Sequence, residues 1–231
     1  MLATTAGGAI SLGKIGGNVR CETAGGSIEL DASAGDAVLN TSGGKIKVGE
    51  IGGKLHAESA GGGIEADRVG GEVIASTSGG SILIGDAEGE VSAETAGGNI
   101  EISRAPQGVD AETAGGHIRL NDVAGKVYAA SAAGNIQAYF ISSQPMQDSF
   151  LETSAGSIIV WLPADIQVVV DAMVDFAQGV KRIESDFDTI RVRREQDAFG
   201  PGEVRASGQL NGGGPVLTIR NTSGRIQIRC R

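Results

Sequence analysis

The clearest candidates for chemistry in this sequence of 231 residues are carboxylates that recur eighteen residues apart. Glu94 and Glu112 occupy the same place in consecutive repeats, and Asp110 lies two residues before Glu112. Neighbouring carboxyl groups can take different pKa values and act as acid and base on a glycosidic bond. The same pattern is typical of a solvated charged strip on a repeat that tolerates Glu, and we favour this second interpretation.

Other residue types offer little catalytic or metal-binding chemistry. Calcium-binding nonapeptide repeats need Asp four places after the second Gly, whereas Gly26-Ser27-Ile28-Glu29-Leu30 puts an apolar residue there. His56 and His117 fall in different halves of repeats more than three rungs apart, so we expect no shared site. No Ser-His-Asp set or phosphate-binding loop is recognisable. We predict no catalytic residue, no metal site and no cofactor, and the sequence identifies no binding residue.

Hydroxyl residues form a further column, which could suggest an ice-binding surface. Its members are Thr5, Thr23, Thr41, Ser59, Thr77, Thr95, Thr113 and Ser131. Ice binding calls for a broad flat array, usually of two ranks, whereas this rank is single and lies just before a turn. Hydroxyls at such places more often bond the backbone, which is our prediction here.

These columns exist because the chain is built on an 18-residue repeat, marked by Gly-Gly pairs. The pairs are Gly7-Gly8, Gly25-Gly26, Gly43-Gly44, Gly61-Gly62, Gly79-Gly80, Gly97-Gly98 and Gly115-Gly116. A fixed short period indicates a solenoid, and alternating apolar residues in each half-repeat indicate two short strands. The sequence therefore predicts an all-β, single parallel β-solenoid with 18-residue coils, right-handed by the crossover rule.

The second glycine of each main turn is retained in every coil, whereas the first becomes Ala at Ala133 and Ala155. We therefore predict a positive φ at the second position. A weaker turn divides each coil, and Gln107 followed by Gly108 breaks its pattern. We expect a local distortion there.

Charges also recur in columns. Two of them alternate in sign, and a third mostly separates like charges with neutral residues. They run Glu50, Arg68, Asp86, Arg104, Asp122; then Glu29, Lys47, Glu65; then Glu22, Asn40, Glu58, Ser76, Glu94, Glu112. Because rungs lie about 4.8 Å apart, this pattern predicts a structural use of charge in fixing register.

The repeat changes character towards the C-terminus. We assign residues 1–142 to regular coils, and residues 143–231 to final irregular coils and a C-terminal cap of the same domain. One coil, at Thr153-Ser154-Ala155-Gly156, is delayed by four residues around Pro145. All eight aromatic residues follow position 127, and we expect them to close this end: Tyr128, Tyr139, Phe140, Phe150, Trp161, Phe176, Phe187 and Phe199.

Composition restricts the partners. A net charge of -9 argues against a nucleic-acid surface, because phosphate binding needs clustered Lys and Arg. No apolar run is long enough to span a bilayer. The first repeat follows Met1 almost directly, with no export signal. Cys21 and Cys230 make no disulfide framework, and we expect buried free thiols.

Several segments resemble the bacterial putative-adhesin β-repeat family, a domain of unknown function of the DUF4097 type. They are Glu94-Thr95-Ala96-Gly97-Gly98-Asn99-Ile100, Leu162-Pro163-Ala164-Asp165, Ile183-Glu184-Ser185-Asp186-Phe187 and Asn211-Gly212-Gly213-Gly214-Pro215. The resemblance covers nearly the whole chain. It implies a β-solenoid of the bacterial cell envelope or surface and supplies no catalytic residues.

These observations lead to one expected function and two alternatives. We expect a non-enzymatic structural or adhesion-type scaffold that presents regular sheet faces to a protein or glycan partner. The alternative is a solenoid that self-assembles through its open N-terminal edge. The third is a β-helix enzyme acting on polysaccharide through carboxylates such as Glu94 and Glu112.

Overall fold

The computed structural model describes residues 1–175, 182–195 and 202–231, and in these residues the protein is all-β with no helix. Strands stack in parallel, one coil on the next, so the predicted β-solenoid is confirmed and makes about nine turns. Successive strands contribute alternately to a 13-stranded sheet and an 11-stranded sheet, which we name the long sheet and the short sheet. Since the described part holds no helix, no helical span long and apolar enough to cross a membrane was found there.

The first nine coils each place one strand in each sheet. Their strands are β1 (Leu2–Thr5), β2 (Ile10–Ile15), β3 (Val19–Thr23), β4 (Ile28–Ser33), β5 (Ala37–Thr41), β6 (Ile46–Ile51), β7 (Leu55–Ser59), β8 (Ile64–Val69), β9 (Val73–Thr77), β10 (Ile82–Ala87), β11 (Val91–Thr95), β12 (Ile100–Arg104), β13 (Gly108–Thr113), β14 (Ile118–Val123), β15 (Lys126–Ser131), β16 (Ile136–Phe140), β17 (Ser149–Thr153) and β18 (Ile158–Leu162). Odd-numbered strands build the long sheet and even-numbered strands the short sheet.

Six further strands complete the C-terminal end. They are β19 (Val168–Val174), β20 (Ile183–Ser185), β21 (Arg191–Glu195), β22 (Glu203–Leu210), β23 (Val216–Asn221) and β24 (Ile226–Cys230). The long sheet ends in the order β17-β23-β19-β22-β21, and the short sheet in the order β18-β24-β20. The last two strands of the chain thus form a coil inside the stack, beneath strands that precede them in sequence.

Strand register follows the predicted columns. Ile10 pairs with Ile28 and Ile28 with Ile46, each eighteen residues on. At the delayed coil the step becomes 22, from Ile136 to Ile158, which confirms the four extra residues around Pro145. The next step is 68, from Ile158 to Ile226, because β19 to β22 come between them in the sequence.

The core is a thin layer between the two sheets, filled by the apolar columns. The short sheet contributes mainly Ile and Leu, such as Ile46 and Ile64, and the long sheet mainly Val and Ala, such as Val73 and Ala75. All four are at most 1% exposed. Large residues on one sheet thus face small residues on the other, which suits a thin, closely packed layer.

The second glycine of the main turn is required for a reason other than the one predicted. Among the described residues, positive φ occurs only at Gly108, Gly125, Gly212, Gly213 and at two non-glycine residues, so our prediction for the main turn was wrong. A methyl group on Gly44 or Gly62 would instead overlap the backbone carbonyl of the glycine one coil earlier. The requirement is therefore close approach of stacked backbones.

The hydroxyl column bonds the backbone as predicted. Thr95 Oγ1 donates to the carbonyl of Gly80 at 2.9 Å and accepts from the amide of Gly98 at 3.2 Å. The same pair of bonds recurs at Thr41 and Thr113. The members of the hydroxyl column from Thr23 to Ser131 are only 2–6% exposed. These hydroxyls tie each main turn to the coil before it and offer no outer rank to ice.

The charge columns hold ion pairs along most of their length. Arg68 pairs with Glu50 at 3.8 Å and Arg104 with Asp86 at 2.9 Å, one coil apart. The last member, Asp122, departs from our prediction: it has a φ of 46° and pairs with Arg231 at 2.8 Å. In the second column, Glu65 is in register with Lys47 but forms its ion pair with Lys45.

The distortion expected near Gln107 is present. Gly108 has a φ of 146°, and Gly125, the counterpart of Gln107 in the next coil, has a φ of 68°. A methyl group on Gly125 would overlap the carbonyl of Gln107. An isolated bridge between Ala105 and Val123 replaces regular pairing here, so the rungs on either side meet at a bulge.

The aromatic residues close the end less than expected. Tyr139 stacks on Trp161 with ring centroids 3.9 Å apart, and Tyr128 on Phe150 at 5.9 Å. These rings lie on the half-exposed outer faces of neighbouring rungs. Phe140 is buried and Phe187 packs against the core, while Phe176 and Phe199 lie outside the described residues.

The end is covered by strands instead. β19 runs parallel to β23, and β22 and β21 add to it in antiparallel fashion, while β20 covers β24.

The two cysteine thiols also depart from our expectation of burial. Both are free, but only Cys21 is buried, and Cys230 is exposed. Cys230 is the last residue of β24, at the exposed end of that strand.

The close approach of the main turns predicts opposite results for two adjacent glycines. We expect Gly44→Ala to lower the free energy of unfolding by about 1–3 kcal/mol or more, because the methyl group must force two backbones apart. Urea denaturation followed by circular dichroism measures the change.

Gly43→Ala is the matched control. The nearest atom to its added methyl group would be the carbonyl oxygen of Gly25 at 3.6 Å, an ordinary van der Waals contact. We expect a change within about 0.5 kcal/mol. Equal effects at the two positions would contradict the steric explanation.

Candidate functional site

The main concave surface is a shallow groove that follows the long sheet beside the main turns. Two depressions that share Ser76 and Ser78 make it continuous from the first coil to the ninth. Eight steps of about 4.8 Å give it a length of roughly 40 Å. We refer to this surface as the groove.

Three columns of the repeat line the groove. The hydroxyl column forms its floor. One wall is the third charge column and its continuation: Glu22, Asn40, Glu58, Ser76, Glu94, Glu112, Ala130 and Glu152. The other wall consists of small residues just before the glycine pairs: Ala24, Ser42, Ala60, Ser78, Ala96, Ala114, Ala132 and Ser154. Because these side chains are small, the groove is open on this side.

The groove is acidic, and its acidity increases towards the later coils. Glu22 is paired with Arg20 at 2.5 Å and Glu58 with His56 at 2.9 Å. Glu94, Glu112 and Glu152 make no ion pair or hydrogen bond with any residue that the structure describes. Carboxylates without internal partners attract cations and hydrogen-bond donors from outside the protein.

Glu94 and Glu112 are direct register partners on β11 and β13, as their spacing predicted. Asp110 lies on the same outer face, in the neighbouring column, between Ser92 and Tyr128. Although Asp110 is an exposed residue, partial burial of its carboxyl group raises the pKa. Lys126 lowers this pKa and Glu94 raises it.

Tyr128 completes the acidic face. Burial raises the pKa of its phenol, and the carboxylates of Glu112, Glu152 and Asp110 raise it further. A neutral phenol surrounded by three carboxylates is a hydrogen-bond donor at physiological pH. The face can therefore donate from Tyr128 and accept at the carboxylates.

The bulge positions Lys126 beside this face. Gly108 begins β13 directly opposite Lys126 on β15, and together with Asp110 and Tyr128 they line a small side pocket of the long sheet. A side chain on Gly108 would be strained because of its positive φ. Lys126 thus lies close enough to Asp110 to lower the pKa of its carboxyl group.

No family model, curated protein or solved structure matches this chain.

The structure brings together some of the residues that the sequence singled out, and separates others. Glu94, Glu112 and Asp110 share one face. His56 lies on the long sheet, whereas His117 accepts the amide of Asn135 at a turn that leads into the short sheet, so they share no site. Within the described ranges no group of three His, Cys, Asp or Glu side chains could hold a metal ion.

Sequence reasoning missed the groove itself. It treated the carboxylate column and the hydroxyl column separately, although they are adjacent in every repeat. The signal was the motif Glu-Thr-Ala-Gly-Gly, as at Glu94–Gly98: a carboxylate, a buried hydroxyl and a small residue in succession. A small residue after an inward-facing one predicts a depression wherever coils stack in register.

The raised pKa of Asp110 predicts a pH-dependent contribution to stability. Because the folded-state pKa lies above the unfolded value of about 3.9, the contribution is unfavourable and develops as the pH rises from that value through the folded pKa. We expect Asp110→Asn to raise the melting temperature at pH 7 relative to the parent. Thermal denaturation at pH 3 should show this difference reduced or absent.

NMR titration of the Asp110 carboxyl group provides the control. We expect Glu94→Gln to lower this pKa, because a repelling charge is removed, and Lys126→Met to raise it. Shifts of the same sign in the two variants would contradict the assigned causes.

Proposed function

We propose that this chain is a non-enzymatic scaffold of the adhesion type in the bacterial cell envelope. It would hold an extended partner, a protein segment or a glycan chain, along the groove. The continuity of the groove over nine rungs is the observation that supports this function most strongly. An extended chain fits a straight surface of this length better than a compact molecule does.

The chemistry of the groove restricts the partner. Unpaired Glu94, Glu112 and Glu152 favour lysine and arginine side chains, or the hydroxyl groups of a sugar, over phosphate or other anions. The small side chains of Ala96 and Ala114 on the opposite wall leave room for such groups. Placement in the cell envelope depends on the resemblance to the putative-adhesin β-repeat family.

A repeated surface also favours a scaffold over an enzyme as the proposal. Catalysis depends on one constellation that stabilises one transition state, whereas the groove repeats a similar set of groups at each rung. The face around Asp110 departs most from this regularity, and a polysaccharide-acting enzyme would use it.

The proposal is tested by removing carboxylates in the groove. The probes are an array of glycans and a library of extended basic and neutral peptides. For any probe that binds, we expect the triple variant Glu94→Gln, Glu112→Gln and Glu152→Gln to weaken binding about tenfold, through the loss of about 1.4 kcal/mol.

The matched control removes three carboxylates from the outer face of the short sheet, by Glu29→Gln, Glu65→Gln and Glu101→Gln. It changes the net charge equally and should leave binding nearly unaltered. Equal weakening by both triple variants would exclude the groove as the binding surface. If the parent protein turns over a glycan, and Glu94→Gln or Glu112→Gln abolishes that turnover, the result would favour the polysaccharide-acting enzyme.

A second candidate function is self-assembly through the first rung. In the described structure β1 and β2 pair on one side only. Leu2 is 69% exposed there, beside the partly buried core residues Ala3, Leu12 and Ile15. Exposed strand edges of this kind can pair with another chain.

For this candidate we expect light scattering to rise with protein concentration, and Leu2→Lys to suppress the rise. Leu83→Lys is the control, since Leu83 is 41% exposed on the outer face of a central strand. A monomer at high concentration would exclude self-assembly.

A further inference from the structure

The coil formed by β23 and β24 occupies a slot between two parts of the protein that precede it in sequence. On one side of the slot lie β17 and β18 of the ninth coil, and on the other lie β19 and β20 of the cap. In the sequence, the strands of both walls precede the residues that fill the space between them. We name residues 216–231 the inserted segment.

The inserted segment contacts β17 and β18 in the same way as an ordinary coil contacts the coil before it. Asn221 takes the place of the hydroxyl column: its side-chain amide donates to the carbonyl of Gly156 at 2.8 Å and its oxygen accepts from Gly224 at 2.5 Å. Ser223 donates to the carbonyl of Ser154 at 2.9 Å. A methyl group on Gly224 would overlap the carbonyl of Gly156, as at every regular main turn.

The cap wall holds the inserted segment by charge. Arg220 pairs with Asp171 at 2.7 Å, and Arg229 pairs with both Glu184 and Asp186 at 2.9 Å. The side chain of Asp186 also accepts the amide of Cys230 at 3.1 Å. These contacts join the inserted segment to the cap through side chains that lie on its surface.

Between the two walls, the inward-facing apolar residues of the segment are fully buried. They are Leu217, Ile219, Ile226 and Ile228, each 0% exposed. Without the segment, the core residues of β17, β18 and β19 would face solvent. The slot therefore accepts an extended strand pair with alternating apolar residues.

The connection into the segment has the properties of a hinge. Residues 211–215 join the antiparallel strand β22 to β23 by crossing over β19, close to Gln167. Asn211, Gly212 and Gly213 all have positive φ, and nothing lies within 4 Å of a methyl group built on Gly212. Glycines can leave this tight conformation for an extended one at little cost.

We propose that the inserted segment is exchangeable, and that a second copy of this chain donates its own residues 216–231 to the slot in a reciprocal dimer. Each slot in the dimer contains the same strands, ion pairs and buried side chains as in the monomer. Only the hinge changes conformation, which makes this route to a dimer inexpensive.

The first test shortens the hinge by deleting Gly212, Gly213 and Gly214. The remaining three Cα–Cα steps reach at most about 11 Å, whereas crossing β19 spans about 9.6 Å in a straight line through Gln167. So short a connection has almost no length left to pass around Gln167, which strains the return of the segment to its own slot. We expect size-exclusion chromatography with light scattering to show a larger share of dimer than the parent. A folded monomer would overturn the proposal.

The second test identifies exchange by charge reversal in the shortened chain. One variant carries Asp171→Arg and the other Arg220→Asp. In a homodimer of either variant, positions 171 and 220 of each slot carry like charges. In a reciprocal heterodimer both pairs are again of opposite charge. We expect native mass spectrometry of the mixture to show heterodimer in about threefold excess over homodimers.

The controls are mixtures that lack this complementarity. The Asp171→Arg variant mixed with the shortened parent should give no such excess. The two variants with full-length hinges should form less heterodimer in the same incubation, because the intact hinge also lets each segment return to its own slot. A statistical distribution of heterodimer and homodimers in the first mixture would show that the segment is not exchanged between slots.

If the shortened chain does not fold, a protease site inserted at Gly212 replaces it. After cleavage of the folded full-length protein, a labelled peptide of residues 216–231 should displace the bound segment, and a peptide with Ile219→Asp should not. A cleaved protein that keeps its own segment in the presence of excess labelled peptide would overturn the proposal.

Discussion

The contact between the backbones of consecutive main turns is the constraint on which the rest of this structure depends. The second glycine of each turn lies so close to the carbonyl of the preceding coil that no side chain fits between them. This contact brings each coil directly onto the one before, and the buried hydroxyl beside it bonds both. Identical spacing then propagates to every column, in the core and on the surface.

Much of the fold could be predicted because the period, the alternation and the columns are explicit in the sequence. The role of the glycines could not be predicted. A position that requires glycine looks the same in the sequence whether the reason is a positive φ or the close approach of a neighbouring backbone. The position of the inserted coil was hidden because Asn221 replaces the usual hydroxyl, 68 residues after Thr153. Sequence order alone would place it beyond the cap.

The carboxylates were located correctly, but the surface they form was not predicted. Glu94, Glu112 and Asp110 belong to one face because the strands are in register. The groove appears only when the small residues of the next column are included, and its acidity depends on which glutamates have partners. Both are properties of stacked coils, and a partner held there would be bound by many weak, similar contacts rather than by a few dominant ones.

The order of strands in the last coils has a consequence for synthesis on the ribosome. A regular solenoid can grow vectorially, each coil adding to a finished template as it leaves the exit tunnel. Here β19 to β22 emerge before β23 and β24, on which β19 and β20 are built. The cap strands must therefore wait, unattached, while the ninth coil exposes its apolar end. That interval is when the nascent chain is most open to chaperones, and to its neighbours on the same polysome.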